Sequence, residues 1–249
     1  MLLDLLQLSP IEITFSISII FLAYSVKGLS GFGSGLIAIP LLAFFFPLTF
    51  IVPVLGLLSY SGTIIQSFQL RKQVSWRDML PLLPFSLLGI FIAIWLLVNV
   101  DSDTLILTLG LFVLLYSLYS SLSLPLRAGG RRWAIIAGFG GGIVGALFGT
   151  GGPFYVVYLK IRQLDKSQFR ATIAMIFLVD GAARITAYAL NGLYTPQVLW
   201  LVLTLLPILL AGMYAGHHIH LKINQQRFNQ VINLLLMISG AVLIIKSIA

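Results

Sequence analysis

Three ionisable side chains lie inside long apolar stretches of the sequence: Lys27, Asp180 and Arg184. A charge at the centre of a membrane helix costs about 2.5–3.5 kcal/mol on insertion scales, so each of them needs a partner or a function. Lys27 could offer its ammonium to an anion or to a free carbonyl, or it could simply anchor the segment. Asp180 and Arg184 are four residues apart and share one helix face. That spacing fits either a structural ion pair or an anion-binding arginine beside a carboxyl that releases the anion or takes up a proton.

Two glycine-rich segments supply a second kind of chemistry, because unwound backbone exposes N–H groups to which an anion can bind. They read GLSGFGSGLIAIP (28–40) and GALFGTGGPFYVV (145–157). A half-helix that starts after such a break points its positive end at a ligand, whereas close helix packing is the alternative explanation for any single glycine. A short apolar arm follows each cluster, which favours a binding site. Its predicted residues are Gly31, Phe32, Gly33, Ser34 and Gly35 in the first break and Gly149, Thr150, Gly151 and Gly152 in the second.

Composition identifies the setting of these residues as a membrane. Hydrophobic residues make up 59% of the 249 and charged residues only 9%, and the mean hydropathy of +1.04 excludes an ordinary soluble domain. The N-terminal segment has no basic n-region, so a retained first helix is expected rather than a cleaved signal peptide. The apolar runs lie at 10–27, 50–70, 79–98, 104–122, 133–149, 168–190, 197–216 and 227–248.

The first and fifth runs lead into the glycine breaks and then into arms at 36–46 and 153–159, which are too short to cross a bilayer alone. A shift of 118 residues aligns the two breaks and places Gln66 at the position of Arg184. Coincidence is the alternative in so glycine-rich a chain. The same order of helix, break, arm and three further helices in both halves favours two repeats, 1–125 and 126–249. Gln66 lies in a polar stripe with Ser59 and Thr63 that suits either the oxygens of an anion or interhelical hydrogen bonds, and it is also a predicted binding residue.

Basic residues determine the predicted topology, because Lys and Arg accumulate in cytoplasmic loops. If each break is a re-entrant hairpin, four basic loops share the cytoplasmic side and the outer loops contain no lysine or arginine. If the fifth segment crossed completely, the basic loops would divide evenly between the two sides. The prediction is an all-α membrane bundle of two inverted repeats, each with a hairpin and three transmembrane helices. The predicted cytoplasmic loops are 71–78, 123–132, 160–170 and 217–227.

Both breaks, GFGSGLIAIPLL and FGTGGPFYVVYL, resemble the duplicated signature of the TauE/SafE sulfite-exporter family, and the resemblance extends over essentially the whole chain. It also includes the RATIA segment at 170–174, which opens a helix after the second hairpin. The resemblance implies a multi-pass protein of the bacterial inner membrane that moves small sulfur oxyanions or organosulfonates, typically outward. The chain departs from the family pattern at Pro153, which directly follows two glycines, and at Tyr158.

Several other classes of function are disfavoured by the sequence. There is no cysteine and no phosphate-binding GxxxxGK[ST] loop, and the histidines at 217, 218 and 220 lack metal-ligand spacing, so no cofactor or metal is expected. The net charge of +8 follows from the loop topology and predicts no nucleic-acid partner. The expected function is secondary transport of a small anion, with a proton or cation as a candidate coupling ion. A passive anion channel is the alternative, and an intramembrane hydrolase would need a second carboxylate beside Asp180.

Overall fold

A computed structural model of the chain describes residues 9–31, 33–122, 128–219 and 225–248. Over these residues the chain is helical and contains no strand. The helices are α1 (Pro10–Ser30), α2 (Ser34–Leu42), α3 (Leu48–Leu70), α4 (Trp76–Met79), α5 (Leu83–Asn99), α6 (Ser102–Ser121), α7 (Trp133–Phe148), α8 (Gly152–Ile161), α9 (Lys166–Leu190), α10 (Pro196–Ile219) and α11 (Gln225–Ile248), with a 3₁₀ turn at Arg71–Gln73.

The long helices confirm a polytopic membrane bundle. Within the described ranges, five helices are long and apolar enough to cross a bilayer, and three shorter apolar helices accompany them. Together these eight correspond to the eight predicted apolar runs. The third run starts later than predicted, because residues 76–79 form the separate helix α4 and Pro84 lies in the first turn of α5. Large apolar side chains such as Phe91, Trp95 and Leu115 are exposed, as expected of a surface that faces lipid.

The second glycine break is a re-entrant hairpin, as the sequence predicts. The backbone N–H of Gly129, just before α7, donates to the carbonyl of Ile161 at the end of α8 over 3.1 Å. Arg131 and Arg162, one from each end of the hairpin, both donate to the Asp78 carboxylate. The segment therefore returns to the end of the bundle where it began. Three of the four basic loops meet at that end.

The first break has the same form. Ile13, near the start of α1, and Phe46, after the end of α2, line one apolar cavity, so this hairpin also returns to its own end. Each hairpin helix packs against a helix of the other half, α1 on α10 and α7 on α5, while α3 packs on α9 and α6 on α11. The two halves are thus interleaved rather than side by side.

The packing of α1 on α10 matches that of α7 on α5 in detail. A Cβ on Gly212 would lie 2.8 Å from the carbonyl oxygen of Phe21, and a Cβ on Gly89 would lie 2.5 Å from that of Phe139. Phe139 follows Phe21 by 118 residues, the shift that aligns the two breaks, and Gly212 follows Gly89 by 123 residues, the same shift with a five-residue adjustment. Side chains at either glycine would force the helices apart. The matched contacts support the repeat proposed from the sequence.

Candidate functional site

The two glycine breaks end with helix N-termini that no side chain caps. Gly31 and Gly33 have left-handed backbone, with φ of 85° and 92°, and α2 begins directly after them. Gly149 is also left-handed, with φ of 62°, and α8 begins at Gly152. Neither N-cap residue, Gly33 or Gly151, accepts a hydrogen bond through a side chain. The first-turn N–H groups of both helices are consequently available to an anion.

Both breaks line one small cavity of about 60 Å³. The cavity also receives polar side chains from α1, α3 and α9, so the fold brings the two halves together at one place. Phe32 lies outside the described residues, and Gln66 lies on α3 with a side chain outside the described part of the chain. The predicted residues that line the cavity are Lys27, Gly31, Gly33, Ser34, Gly35, Gly149, Thr150, Gly151, Gly152, Asp180 and Arg184.

Lys27 is buried and links α1 to α3. Its ammonium donates to the backbone carbonyl of Ser59 over 2.5 Å and to the hydroxyl of Thr63 over 3.1 Å. An ammonium has three N–H donors, so these two bonds leave one for a ligand in the cavity. Of the roles expected from the sequence, Lys27 therefore fulfils the contact with a carbonyl and retains capacity for an anion.

Arg184 reaches the end of α7. Its Nη1 donates to the carbonyl of Gly145 over 2.6 Å, and the hydroxyl of Tyr188, one turn further along α9, donates to the carbonyl of Ala146 over 2.5 Å. These are two of the four carbonyls that the C-terminus of α7 leaves without an intrahelical partner. α9 thus supplies hydrogen bonds to unpaired carbonyls at the C-terminus of α7. Arg184 also lines the cavity.

Two polar atoms at the cavity lack a hydrogen-bond partner. They are Nε of Arg184 and the hydroxyl of Thr150, which is buried within the second break. A buried donor left unpaired costs about 1–3 kcal/mol, and buried polar groups in native structures are nearly always satisfied. Both groups belong to residues that line the cavity.

Asp180 does not pair with Arg184. Its two carboxylate oxygens accept hydrogen bonds from the hydroxyl of Ser86 on α5, over 2.6 Å, and from the hydroxyl of Tyr155 on α8. Over the described residues no salt bridge joins Asp180 to Arg184, so this geometry does not favour the structural ion pair, one of the two interpretations of the i, i+4 spacing. The physical reason is that Arg184 is engaged by the C-terminal carbonyls of α7, while two hydroxyls occupy the carboxylate.

Sequence reasoning missed several cavity residues that the structure supplies. Tyr155, Tyr60, Phe177 and Gly181 also line the cavity. Behind it, Ser86 joins Tyr155 in donating to Asp180. Ser86 carried a usable signal, since it is a polar residue within an otherwise apolar membrane helix. Tyr155 lies three residues after Gly152, on the first turn of the arm, where a side chain is bound to approach the break.

A second polar cluster lies outside the cavity, at the end of the bundle where the basic loops meet. The Asp78 carboxylate accepts from Nε of Arg162 over 2.8 Å and from Nε of Arg131 over 3.2 Å, and it also accepts from the hydroxyl of Ser75. Burial alone would raise the pKa of Asp78, but the hydrogen bonds from Arg162, Ser75 and Arg131 outweigh it and hold this pKa below its ordinary value. The cluster fastens the loop between α3 and α5 to both ends of the second hairpin.

Over the described residues, no group of three or more His, Asp or Glu side chains could hold a metal ion. The side chains of His217 and His220 lie outside the described part, and His218 is exposed near the end of α10, with its ring 2.9 Å from the carbonyl of Tyr214. The cavity itself offers, among its described residues, two cations, hydroxyls and first-turn backbone N–H groups beside the single carboxyl of Asp180.

A helical bundle with two re-entrant hairpins around a polar cavity is the architecture of a membrane transporter. The family model "Sulfite exporter TauE/SafE" matches residues 16–243, and the chain belongs to this family. It is similar to the "Probable inner membrane transporter protein TsaS" of Comamonas testosteroni, with 27% identity over 180 residues, which cover 68% of this chain and 72% of the relative. No solved structure matches the chain. The protein is thus a multi-pass inner-membrane transporter by family.

Proposed function

We propose that the protein carries a small oxyanion, sulfite or an organosulfonate, across the inner membrane by alternating access. The observation that carries this proposal is that Lys27 and Arg184, one from each half, share one buried cavity with two uncapped helix N-termini. Each of these features favours negative charge, and they converge from both halves.

The charge balance of the cavity supports an anionic ligand. Lys27 and Arg184 both line the cavity, and like charges that share a buried site repel each other. Buried charges are ordinarily paired, yet among the described cavity residues the single acid, Asp180, is held by hydroxyls instead of either cation. An oxyanion between the two cations would neutralise this repulsion. Its oxygens could accept from Nε and a second guanidinium N–H in parallel, from the Lys27 ammonium and from the Thr150 hydroxyl.

The family and the size of the cavity support the substrate class, and the packing of the two hairpins supports the mechanism. The name of the family supports sulfite or a chemically similar sulfonate, and a cavity of about 60 Å³ suits a small anion. Each hairpin packs its long helix on a helix of the other half, α1 on α10 and α7 on α5. In such an arrangement one hairpin can open while the other stays closed. Alternating access is therefore proposed over a continuous pore.

Uptake into proteoliposomes tests the proposal. Purified protein should carry labelled sulfite or methanesulfonate, and unlabelled anion inside the liposomes should accelerate entry of label, as a carrier requires. Arg184→Gln should abolish this flux, whereas Arg77→Gln, an arginine exposed outside the cavity, should retain it. Flux no greater than that of empty liposomes would refute anion transport. Flux without acceleration by internal anion would indicate a channel.

A further inference from the structure

We infer that Asp180 is a proton-binding site whose proton enters and leaves the cavity together with the anion, so that the protein is an anion–proton symporter. This inference rests on the proposed function, because it assigns the coupling ion of that same cavity.

The carboxyl of Asp180 is buried in the wall of the cavity. Asp180 is only 3% exposed and lines the cavity. Both of its oxygens accept hydroxyl hydrogen bonds, from Ser86 on α5 and Tyr155 on α8. Over the described residues it makes no salt bridge. Its charge is therefore not committed to a structural ion pair, and a proton can be gained or lost without breaking one.

The groups around Asp180 define what its charge would do. Tyr155 faces it from α8, Tyr60 lines the same cavity from α3, Lys27 approaches from α1 and Arg184 from its own helix. The segment that contains α4 also packs on α9. Gln73 accepts from the hydroxyl of Ser167, and the backbone N–H of Ser75 donates to the hydroxyl of Thr172. These contacts are about 12–20 Å along the helix from Asp180. On α4 itself, Arg77 is exposed and Asp78 is paired with two arginines. Asp180 is the acidic group that lines the cavity, so its ionised form is the one that would repel an incoming anion.

These charges couple the binding of a proton at Asp180 to the binding of the anion. Protonation of Asp180 removes one negative charge from the cavity wall and leaves two cations to hold the anion. The anion should therefore bind more tightly to the protonated form, and by reciprocity anion binding should draw in a proton. Each cycle takes one proton and one anion from the water on one side and releases both on the other.

The hydroxyl of Tyr155 connects this proton to the hairpin. Tyr155 lies on the first turn of α8, directly after the second break, and its ring is buried. When Asp180 is ionised, both hydroxyls donate to it. When Asp180 is protonated, its own O–H must donate, so one of these bonds has to reverse. The hydrogen bonding of Tyr155, and with it the contact between α8 and Asp180, therefore depends on the same proton that sets the affinity for the anion.

Methanesulfonate is a suitable probe, since its sulfonate stays ionised throughout the acidic to neutral range. In weakly buffered solution, binding of methanesulfonate to the purified wild-type protein should take up as much as one proton per anion. Its affinity should fall by up to tenfold per pH unit as the pH rises, the limit for one linked proton. In liposomes, a pH gradient alone should drive methanesulfonate uphill.

Asp180→Asn keeps an oxygen acceptor for Ser86 and fixes the uncharged state. This variant should bind methanesulfonate with an affinity independent of pH and close to that of the wild type in acid, and it should take up no proton. Asp103→Asn, at an exposed carboxyl far from the cavity, should behave as the wild type.

Proton uptake that persists in Asp180→Asn would overturn Asp180 as the proton site, and wild-type binding that ignores pH would overturn the symport, while either result leaves anion binding intact. Absence of any binding of methanesulfonate and sulfite by the wild type would overturn the proposed function and the inference with it. The wild-type measurement tests the linkage even if the variant folds poorly, and loss of proton uptake in Asp180→Asn but not in Asp103→Asn assigns the proton to Asp180 rather than to Lys27, which lines the same cavity.

Discussion

Gly35 and Gly149, one in each glycine break, lie in direct backbone contact at the wall of the cavity. A Cβ on Gly35 would overlap the carbonyl oxygen of Gly149 and lie 2.9 Å from its carbonyl carbon. The two breaks can approach so closely only because Gly35 lacks a side chain. This contact is the point at which the two halves meet to form one site.

Gly35→Ala should therefore displace the two breaks from each other and abolish anion uptake. The clash is with backbone, which cannot rotate aside as a side chain can, so a lower melting temperature is also expected. Gly56→Ala is the matched control, since its nearest neighbour is the ring of Tyr188 at an ordinary 3.6 Å. Normal uptake by Gly35→Ala would show that the close approach is dispensable.

Arg184→Lys should weaken anion binding by about 10–100-fold, the equivalent of about 1.5–3 kcal/mol for a charged hydrogen bond. Lysine keeps the charge and can still reach the Gly145 carbonyl, but it has no second N–H edge to hold two oxygens of one anion. Calorimetric titration with sulfite measures the change, and the melting temperature should stay near that of the wild type. Arg77→Lys serves as the control. Wild-type affinity in Arg184→Lys would remove the bidentate role.

Thr150→Val tests whether the hydroxyl of Thr150 binds the anion or stabilises the fold. The hydroxyl is buried without a partner, so its removal should leave stability unchanged or slightly raised. If the hydroxyl binds the anion, affinity for sulfite should fall by up to about tenfold. Thr172→Val is the opposite case, because that hydroxyl accepts from the backbone of Ser75, and it should lose stability but not affinity. An unchanged sulfite affinity in Thr150→Val would argue against a role for this hydroxyl.

The sequence predicted the eight apolar runs and the two hairpins because these follow from long-range rules of composition, charge and glycine clustering. It also indicated the cavity, since intramembrane charges and unwound backbone are too costly to occur without a reason. It could not predict what Asp180 contacts. Ser86 and Tyr155 are distant in sequence, and only tertiary packing decides that two hydroxyls, rather than Arg184, reach the carboxylate.

The side of the membrane remains a prediction that labelling can test. Gln163 is exposed in the turn after α8, and Asp103 is exposed at the start of α6, at the opposite end of α5 from Asp78. A single cysteine at Gln163 should be protected from an impermeant reagent added to intact cells, and one at Asp103 should react. Because the chain has no cysteine, the background is low. Reaction at Gln163 in intact cells would reverse the proposed orientation.

The Asp78 cluster should stabilise the fold in a pH-dependent way. Because the pKa of Asp78 is held below its ordinary value, its contribution is present above the ordinary carboxyl value of about 3.9 and is lost as the pH falls through the folded-state pKa. Asp78→Asn should lower the free energy of unfolding at neutral pH by about 1.5–3 kcal/mol, since it weakens the bonds from Arg131 and Arg162.

Denaturation of Asp78→Asn and the wild type at neutral and acidic pH measures this contribution. The difference between them should shrink in acid, where the wild-type carboxyl is itself protonated and resembles the amide. Asp103→Asn should stay near the wild type at neutral pH, because that carboxyl makes no salt bridge within the described residues. A difference for Asp78→Asn that stayed constant as the pH fell would mean that the loss comes from packing rather than from the charge of Asp78.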